Sequence, residues 1–219
     1  MHQFSVIIPA AGVSARFGAN KLTTDLVGVP VIVRAVNAFL DREDVAEIVL
    51  ATRDRSTLEA LFPNRLSKLR WTDGGRTRAQ TVQIAAKSST SEWLAVHDAA
   101  RPLVSQVLID RVFAAAIQTG AAAPAMPVSL TIKEAAGPLP APIRRTVPRD
   151  RLWAMQTPQT MRRDDLLRAY ATCPIPLEQV TDDVQLLELI GLPVTLVAGE
   201  ESNLKITTPI DLKIAAMWL

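Results

Sequence analysis

The sequence predicts a three-layer α/β fold with a mostly parallel central sheet and one projecting β-hairpin. Three observations carry this. Strand-like and helix-like segments alternate along most of the chain, the first strand is a near-continuous apolar run, and a Pro-rich stretch breaks the alternation. Alternating β and α segments imply parallel strands joined by right-handed crossovers, with helices on both sheet faces. With 219 residues, 48% of them hydrophobic, the chain suffices for one well-packed core. A single domain over residues 1–219 is therefore expected.

Phe4 to Pro9 reads as a strand buried on both faces. Pro30 opens a segment in which Ile32, Val36, Phe39 and Leu40 recur at helical spacing. Val45 to Thr52 is the next strand, and Ser56 is expected to cap a short helix ending near Pro63. Lys68 to Thr72 reads as a strand and Thr77 to Lys87 as a helix. Trp93 to His97 is a strand that ends at Asp98. A helix over Gln106 to Thr119 and an Ala-rich strand from Ala121 to Met126 follow.

The arm is expected over residues 128–148, where Ser129 to Lys133 and Ile143 to Val147 are β-prone and Gly137-Pro138 marks the turn. A lone hairpin cannot bury its apolar side chains, so a second subunit is expected to cover it. Helices near Asp164 to Thr172 and Asp182 to Ile190, a strand at Pro193 to Val197 and a helix from Pro209 complete the reading. Because Leu219 directly follows that helix, no fused second enzyme is expected.

Composition removes several function classes. A net charge of +2 with 21% charged residues suits neither a disordered chain nor a binder of extended duplexes. No aromatic residues interleave with basic ones, so no nucleic-acid partner is expected. Cys173 stands alone, without disulfide partner or zinc-like Cys/His spacing. The N-terminus lacks a leader pattern and no apolar stretch is long enough to span a bilayer. A cytoplasmic protein without a membrane partner is expected.

Three segments at strand ends carry candidate chemistry. The first runs from Pro9 through Gly12 and Arg16 to Gly18, with Lys21 just beyond. Small residues let backbone N–H groups approach a nucleotide, and the two cations can neutralise phosphate oxygens. It matches neither the Walker nor the GxGxxG pattern, and by itself an ordinary βα turn explains it as well. The second, Asp73 to Thr81, leads two glycines into a helix, offering free N–H groups and the positive dipole end. There Thr77 alone could be a plain cap, while Arg78 and Thr81 sit one turn apart on the edge that a ligand would meet. The third is His97-Asp98-Ala99-Ala100-Arg101-Pro102. Asp98 suits a single hard-cation ligand, with an Asp98–Arg101 ion pair as the plain alternative. His97 reads as structural. Thr181-Asp182-Asp183 reads equally as a helix cap, and the four Trp residues as core or interface packing.

Taken in order, these segments resemble the cytidylyltransferases that act on methylerythritol phosphate in non-mevalonate isoprenoid synthesis. The matching features are PAAG (Pro9 to Gly12), the following Arg16 and Lys21, GGxxR (Gly74 to Arg78) and HDAARP (His97 to Pro102). Thr131, Arg149, LWxxQTPQ (Leu152 to Gln159), TDD (Thr181 to Asp183) and NLKIT (Asn203 to Thr207) continue the match along the chain.

The resemblance implies a nucleotide-diphospho-sugar-transferase-like (Rossmann-like) fold. It implies CTP binding by Pro9, Ala10, Ala11, Gly12, Gly75, Arg78, Thr81, Asp98 and Ala99, with magnesium (Mg2+) on Asp98. Arg16, Lys21, Arg149 and Lys205 would be catalytic. The acceptor would meet Asp98, Arg101, Thr131, Arg149, Thr157, Thr181 and Lys205. The arm would exchange between subunits of a homodimer, bringing Thr131 and Arg149 to the partner's site. Two departures stand out: Asn20-Lys21-Leu22 replaces the usual PKQ in a shortened loop, and Arg76 stands where an acidic residue is common. The same chemistry on another polyol phosphate such as ribitol 5-phosphate stays open, as does a non-catalytic nucleotide-binding module. A dehydrogenase is disfavoured by the absent GxGxxG spacing.

Overall fold

The computed structural model describes residues 2–12, 17, 21–63 and 67–219. The chain runs β1 (Phe4–Pro9), a small hairpin of β2 (Asp25–Leu26) and β3 (Val29–Pro30), α1 (Val31–Leu40), β4 (Val45–Thr52) and α2 (Arg55–Glu59). Next come β5 (Leu69–Asp73), α3 (Arg78–Ser88), β6 (Trp93–Val96), α4 (Gln106–Thr119) and β7 (Ala121–Pro127). The arm strands β8 (Ile132–Ala135) and β9 (Ile143–Val147) precede β10 (Trp153–Met155) and β11 (Gln159–Arg162). The order closes with α5 (Arg163–Ala171), α6 (Asp183–Leu189), β12 (Thr195–Ala198) and α7 (Pro209–Ala216).

β1 sits mid-sheet, parallel to both neighbours, with Ile7 opposite Val49 of β4 and Val96 of β6. β5 extends the sheet in parallel beyond β4, and β12 runs parallel to β7. Alternate side chains of β1 face opposite layers, as the strand period of two demands. Phe4, Val6 and Ile8 pack with Val36 and Phe39 of α1 and Leu108 of α4. Ile7 packs on the other face with Val82 of α3, Leu166 of α5 and Leu187 of α6. Each such fully buried side chain contributes about 1.5–3 kcal/mol.

The sheet is mostly parallel, as expected, and β10 and β11 are the strands that run the other way. β11 lies between β6 and β7 and is antiparallel to both, with Thr160 opposite Ala95 and Ala122. Its sequence, Gln-Thr-Met-Arg, carries no strand-like apolar run. Burial of Gln159 is tolerated because its side-chain amide finds partners: Oε1 accepts from the N–H groups of Asp183 and Val184, and Nε2 donates to Asp182 Oδ2. β10 pairs with the later half of β7, and the Gln156–Pro158 stretch between β10 and β11 leaves the ladder.

Smaller differences concern boundaries. Asp54 rather than Ser56 caps α2, accepting from the Thr57 N–H at 3.3 Å. Asp54 holds the N-cap geometry where β4 has just ended, which starts the helix earlier. Gly120 takes φ 95° after α4, a left-handed turn suited to glycine, and its N–H donates to the Ala116 carbonyl. The arm is a two-stranded antiparallel ribbon with Ile132 opposite Val147. Leu130, Leu139 and Ile143 are exposed on or beside it. Among the described residues no helix is long and apolar enough to cross a membrane.

Candidate active site

A cavity of about 140 Å³ opens beyond the carboxyl end of β1, where ligands of open parallel sheets bind. Pro9 to Gly12 form one wall; Lys21, Arg78 and Thr81 of α3, Asp98 to Ala100 after β6, and Lys205 complete it. The first loop is held close to its neighbours. The Ala10 N–H donates to the Ala51 carbonyl, and Arg53 Nη2 donates to the Ala11 carbonyl at 2.9 Å. A Cβ on Gly74 would fall 2.3 Å from the Ala11 Cβ, so the second loop approaches the first as only glycine permits.

Charge is concentrated around Asp98. Its Oδ1 lies 3.3 Å from Arg78 Nη2, and its Oδ2 lies 2.9 Å from Lys205 Nζ and 3.4 Å from Arg101 Nε. Burial alone would raise the Asp98 carboxyl, but the Arg78, Lys205 and Arg101 cations outweigh it and hold it well below the ordinary carboxylate range. Asp98 therefore stays ionised and serves as an anchor for cations, not as a proton donor. Arg78 reaches further, to Asp183 of α6, whose Oδ2 is 2.8 Å from Arg78 Nη2. Three cations and two carboxylates thus share one corner.

Asp98 is aimed through its backbone. Its N–H donates to Thr157 Oγ1 at 3.0 Å, from the stretch that leaves the ladder between β10 and β11. The neighbouring His97 ring is fully buried, with Nε2 3.0 Å from the Arg101 carbonyl and Nδ1 3.1 Å from Thr157 Oγ1. A carbonyl only accepts, so Nε2 carries the proton and the Thr157 hydroxyl donates to Nδ1. The expected structural role of His97 is borne out.

Burial pushes His97 down to about 4. The unfolded chain, titrating near 6.5, then binds a proton that the folded chain refuses. Stability is complete above pH 6.5 and falls as pH drops towards 4, by about 3 kcal/mol in all. Asp98 adds its own loss only below the ordinary carboxylate range, whereas Asp183, raised by burial, acts in the opposite sense just above it. In urea unfolding at about pH 7 and about pH 5, His97→Asn should lose less stability on acidification than the parent. Equal losses in the two proteins would remove His97 as the cause.

These contacts can be set beside known proteins. The family model for 2-C-methyl-D-erythritol 4-phosphate cytidylyltransferase matches residues 4–219. The chain belongs to that cytidylyltransferase family. The family's protein from Synechococcus sp. is 40% identical over 98% of this chain and 95% of its own length. That from Rhodopirellula baltica is 40% identical over 96% and 92% respectively. The crystal structure of the Thermus thermophilus cytidylyltransferase superposes with a TM-score of 0.82 at 33% identity, covering 100% of this chain and 98% of that one. The Francisella tularensis cytidylyltransferase gives 0.86 at 28% identity, over 99% and 100%.

Within this cytidylyltransferase, the expected site residues do not all meet in one place. Pro9, Ala10, Ala11, Gly12, Lys21, Arg78, Thr81, Asp98, Ala99 and Lys205 come together around the cavity. Arg16 lies outside the described residues. Thr157 and Arg101 stand behind the cavity and hold it: Arg101 is buried, with Nη1 donating to the Asn203 carbonyl and Nη2 to the Met155 carbonyl. Thr131 and Arg149 belong to the exposed arm region and are not among the cavity lining; Arg149 Nη1 donates to the Ser129 carbonyl. Thr181 is exposed, and its N–H and hydroxyl both donate to Gln185 Oε1.

The free N–H groups expected in the glycine loop are a correction. The Gly74 N–H donates to the Thr52 carbonyl, Gly75 to Thr81 Oγ1 and Arg76 to Gln80 Oε1. Thr77 caps α3 as expected, accepting from Gln80 N–H. These three N–H groups are thus satisfied within the chain, and the Gly75 N–H is held by Thr81, which lines the cavity.

Two supporting residues escaped the reading of the sequence. Asn203 is buried, donating to the Thr157 carbonyl and to Gln156 Oε1, and so fixes the segment that carries Lys205. Asp183 holds Arg78. The NLKIT and TDD matches flagged both stretches without saying which side chain turns inward.

Among the described residues no group of three or more His, Cys, Asp or Glu could hold a metal. Asp98 is the one carboxylate among the described cavity residues. That donor set suits a magnesium ion carried mainly by phosphate and water oxygens, and ill suits a protein-caged ion.

Proposed function

We propose that this chain transfers CMP from CTP to 2-C-methyl-D-erythritol 4-phosphate, releasing pyrophosphate and giving 4-diphosphocytidyl-2-C-methyl-D-erythritol in isoprenoid precursor synthesis. The observation that carries the reading is the meeting of Lys21, Arg78, Asp98 and Lys205 around one cavity beside the Pro9–Gly12 loop. Membership of the family supports it.

A phosphate oxygen of the acceptor attacks the α-phosphorus; the bond to the β-phosphate breaks and pyrophosphate leaves. Both reactants are anions, so the barrier is one of position and charge, and no covalent enzyme intermediate is required. Lys21, with Arg16, offsets charge on the leaving pyrophosphate. Lys205, with Arg149 from a partner's arm, aligns the acceptor phosphate opposite it. A phosphate monoester is largely dianionic near neutral pH, so no general base is needed. Asp98 would be the protein ligand of magnesium, which when bound offsets further charge on the triphosphate.

We read the chain as one catalytic domain whose arm pairs two subunits, and as cytoplasmic, in keeping with its lone Cys173. The exposed Leu130, Leu139 and Ile143 support arm pairing.

Magnesium-dependent pyrophosphate release with methylerythritol phosphate tests the reaction. Release at an equal rate with ribitol 5-phosphate would move the acceptor assignment. Lys205→Ala and Arg149→Ala should each raise the acceptor KM about tenfold to a hundredfold, the worth of one charged hydrogen bond, with little change in the CTP KM. Mixing Arg149→Ala with Lys21→Ala subunits should restore activity at one of the two sites. Assayed at acceptor concentrations below the KM of Arg149→Ala, no recovery above either single variant would exclude an exchanged arm.

A further inference from the structure

We propose that Asp183 is a positioning residue for nucleotide binding, holding Arg78 between itself and Asp98. The inference rests on the reading of the cavity as the CTP site and adds a residue to it.

Helix capping does not account for Asp183. The N-cap of α6 is Asp182, whose carboxylate accepts from the Gln185 N–H at 3.0 Å. The N–H groups of Asp183 and Val184 are taken by Gln159 Oε1 at 2.9 and 3.2 Å. The start of the helix is thus satisfied without the Asp183 side chain, which instead turns inward, 1% exposed, onto Arg78.

Arg78 reaches two carboxylates from separate parts of the fold. Its Nη2 is 2.8 Å from Asp183 Oδ2 and 3.3 Å from Asp98 Oδ1, and its Nε donates to the same Asp98 oxygen at 3.3 Å. A planar fork can span two such partners, whereas a lysine ammonium is a single point of charge. Tyr170 secures the same turn of α3 from α5, its hydroxyl donating to the Ala79 carbonyl at 2.8 Å. A long side chain loses rotamer freedom when ordered, and a fixed carboxylate at its far end removes that penalty from the binding step.

Electrostatics gives the inference a sign. Asp183 adds negative charge beside a cavity meant for a polyanion. Acting by charge alone it weakens CTP binding, and its neutral replacement should tighten it. Acting by position it strengthens CTP binding, and the same replacement should loosen it.

The experiment is calorimetric titration of the full-length protein with CTP, together with initial-rate kinetics. Asp183→Asn should weaken CTP binding about tenfold and raise the CTP KM, with the acceptor KM unmoved, a split that general loss of structure would not produce. Arg78→Ala should weaken CTP at least as much, and the double variant no more than Arg78→Ala alone. If Arg78→Ala weakens CTP while Asp183→Asn binds normally or more tightly, the positioning role is overturned and the site reading stands. Parent-like CTP binding by Arg78→Ala would overturn both. Should Asp183→Asn fail to fold, Arg78→Lys decides: weakened CTP binding supports the bridge, and parent-like binding refutes it.

Discussion

Replacing Lys21 by alanine is expected to lower turnover by about two to three orders of magnitude, while CTP binding weakens far less. Lys21 lines the cavity with the Pro9–Gly12 wall and faces the same space as Asp98 and Lys205. In the proposed reaction, negative charge grows on the bridging oxygen as pyrophosphate departs, and a fixed ammonium there stabilises the transition state more than the bound substrate. Ground-state affinity is shared among the wall, Arg78 and the other cations, so one loss is diluted. Steady-state kinetics with saturating acceptor and CTP separates the two effects. Arg16→Ala is expected to behave alike. A Lys21→Ala enzyme with turnover within a few-fold of the parent would show that the loop does not serve the leaving group.

Asp98→Ala is expected to abolish measurable activity and to destabilise the protein by about 3 kcal/mol. Two things happen at once. The buried Arg101 loses its counter-charge, and breaking a buried pair by removing one member leaves the survivor uncompensated. The figure sits at the low end for such pairs because the Arg78 and Lys205 side chains are 31% and 40% exposed and so partly solvated. Activity disappears for a separate reason: Arg78 and Lys205 lose the carboxylate that holds both at the cavity. Urea unfolding should show a lower midpoint at unchanged slope. A variant as stable as the parent would mean that the cations find other partners, and the cluster would not be the keystone of this corner.

Much of this architecture is legible in the sequence alone. Phe4–Pro9 announces itself by a continuous apolar run, and Val31–Leu40 by apolar residues at helical spacing after Pro30. Local signals sufficed because local burial made them. β11 was hidden for the opposite reason. Four residues, mostly polar, become a strand only because β6 and β7 lie on either side, which no local pattern reports. The site shows the same division. Asp98 at a strand end and Lys21 after a small-residue loop stand out individually. That Lys205 lies within 2.9 Å of Asp98 follows from tertiary folding, and only the resemblance anticipated it. Asp183 was ambiguous because an acid at a helix start satisfies two roles, and direction, not identity, separates them.

The near-contact between Gly74 and Ala11 has a practical side. That stretch of wall offers a small molecule main-chain atoms backed by a position that tolerates no added carbon. Ordinary routes to drug resistance enlarge or recharge a side chain that touches the inhibitor. Here any side chain added at 74 would drive into Ala11, so a compound anchored on this surface leaves the protein one escape substitution fewer.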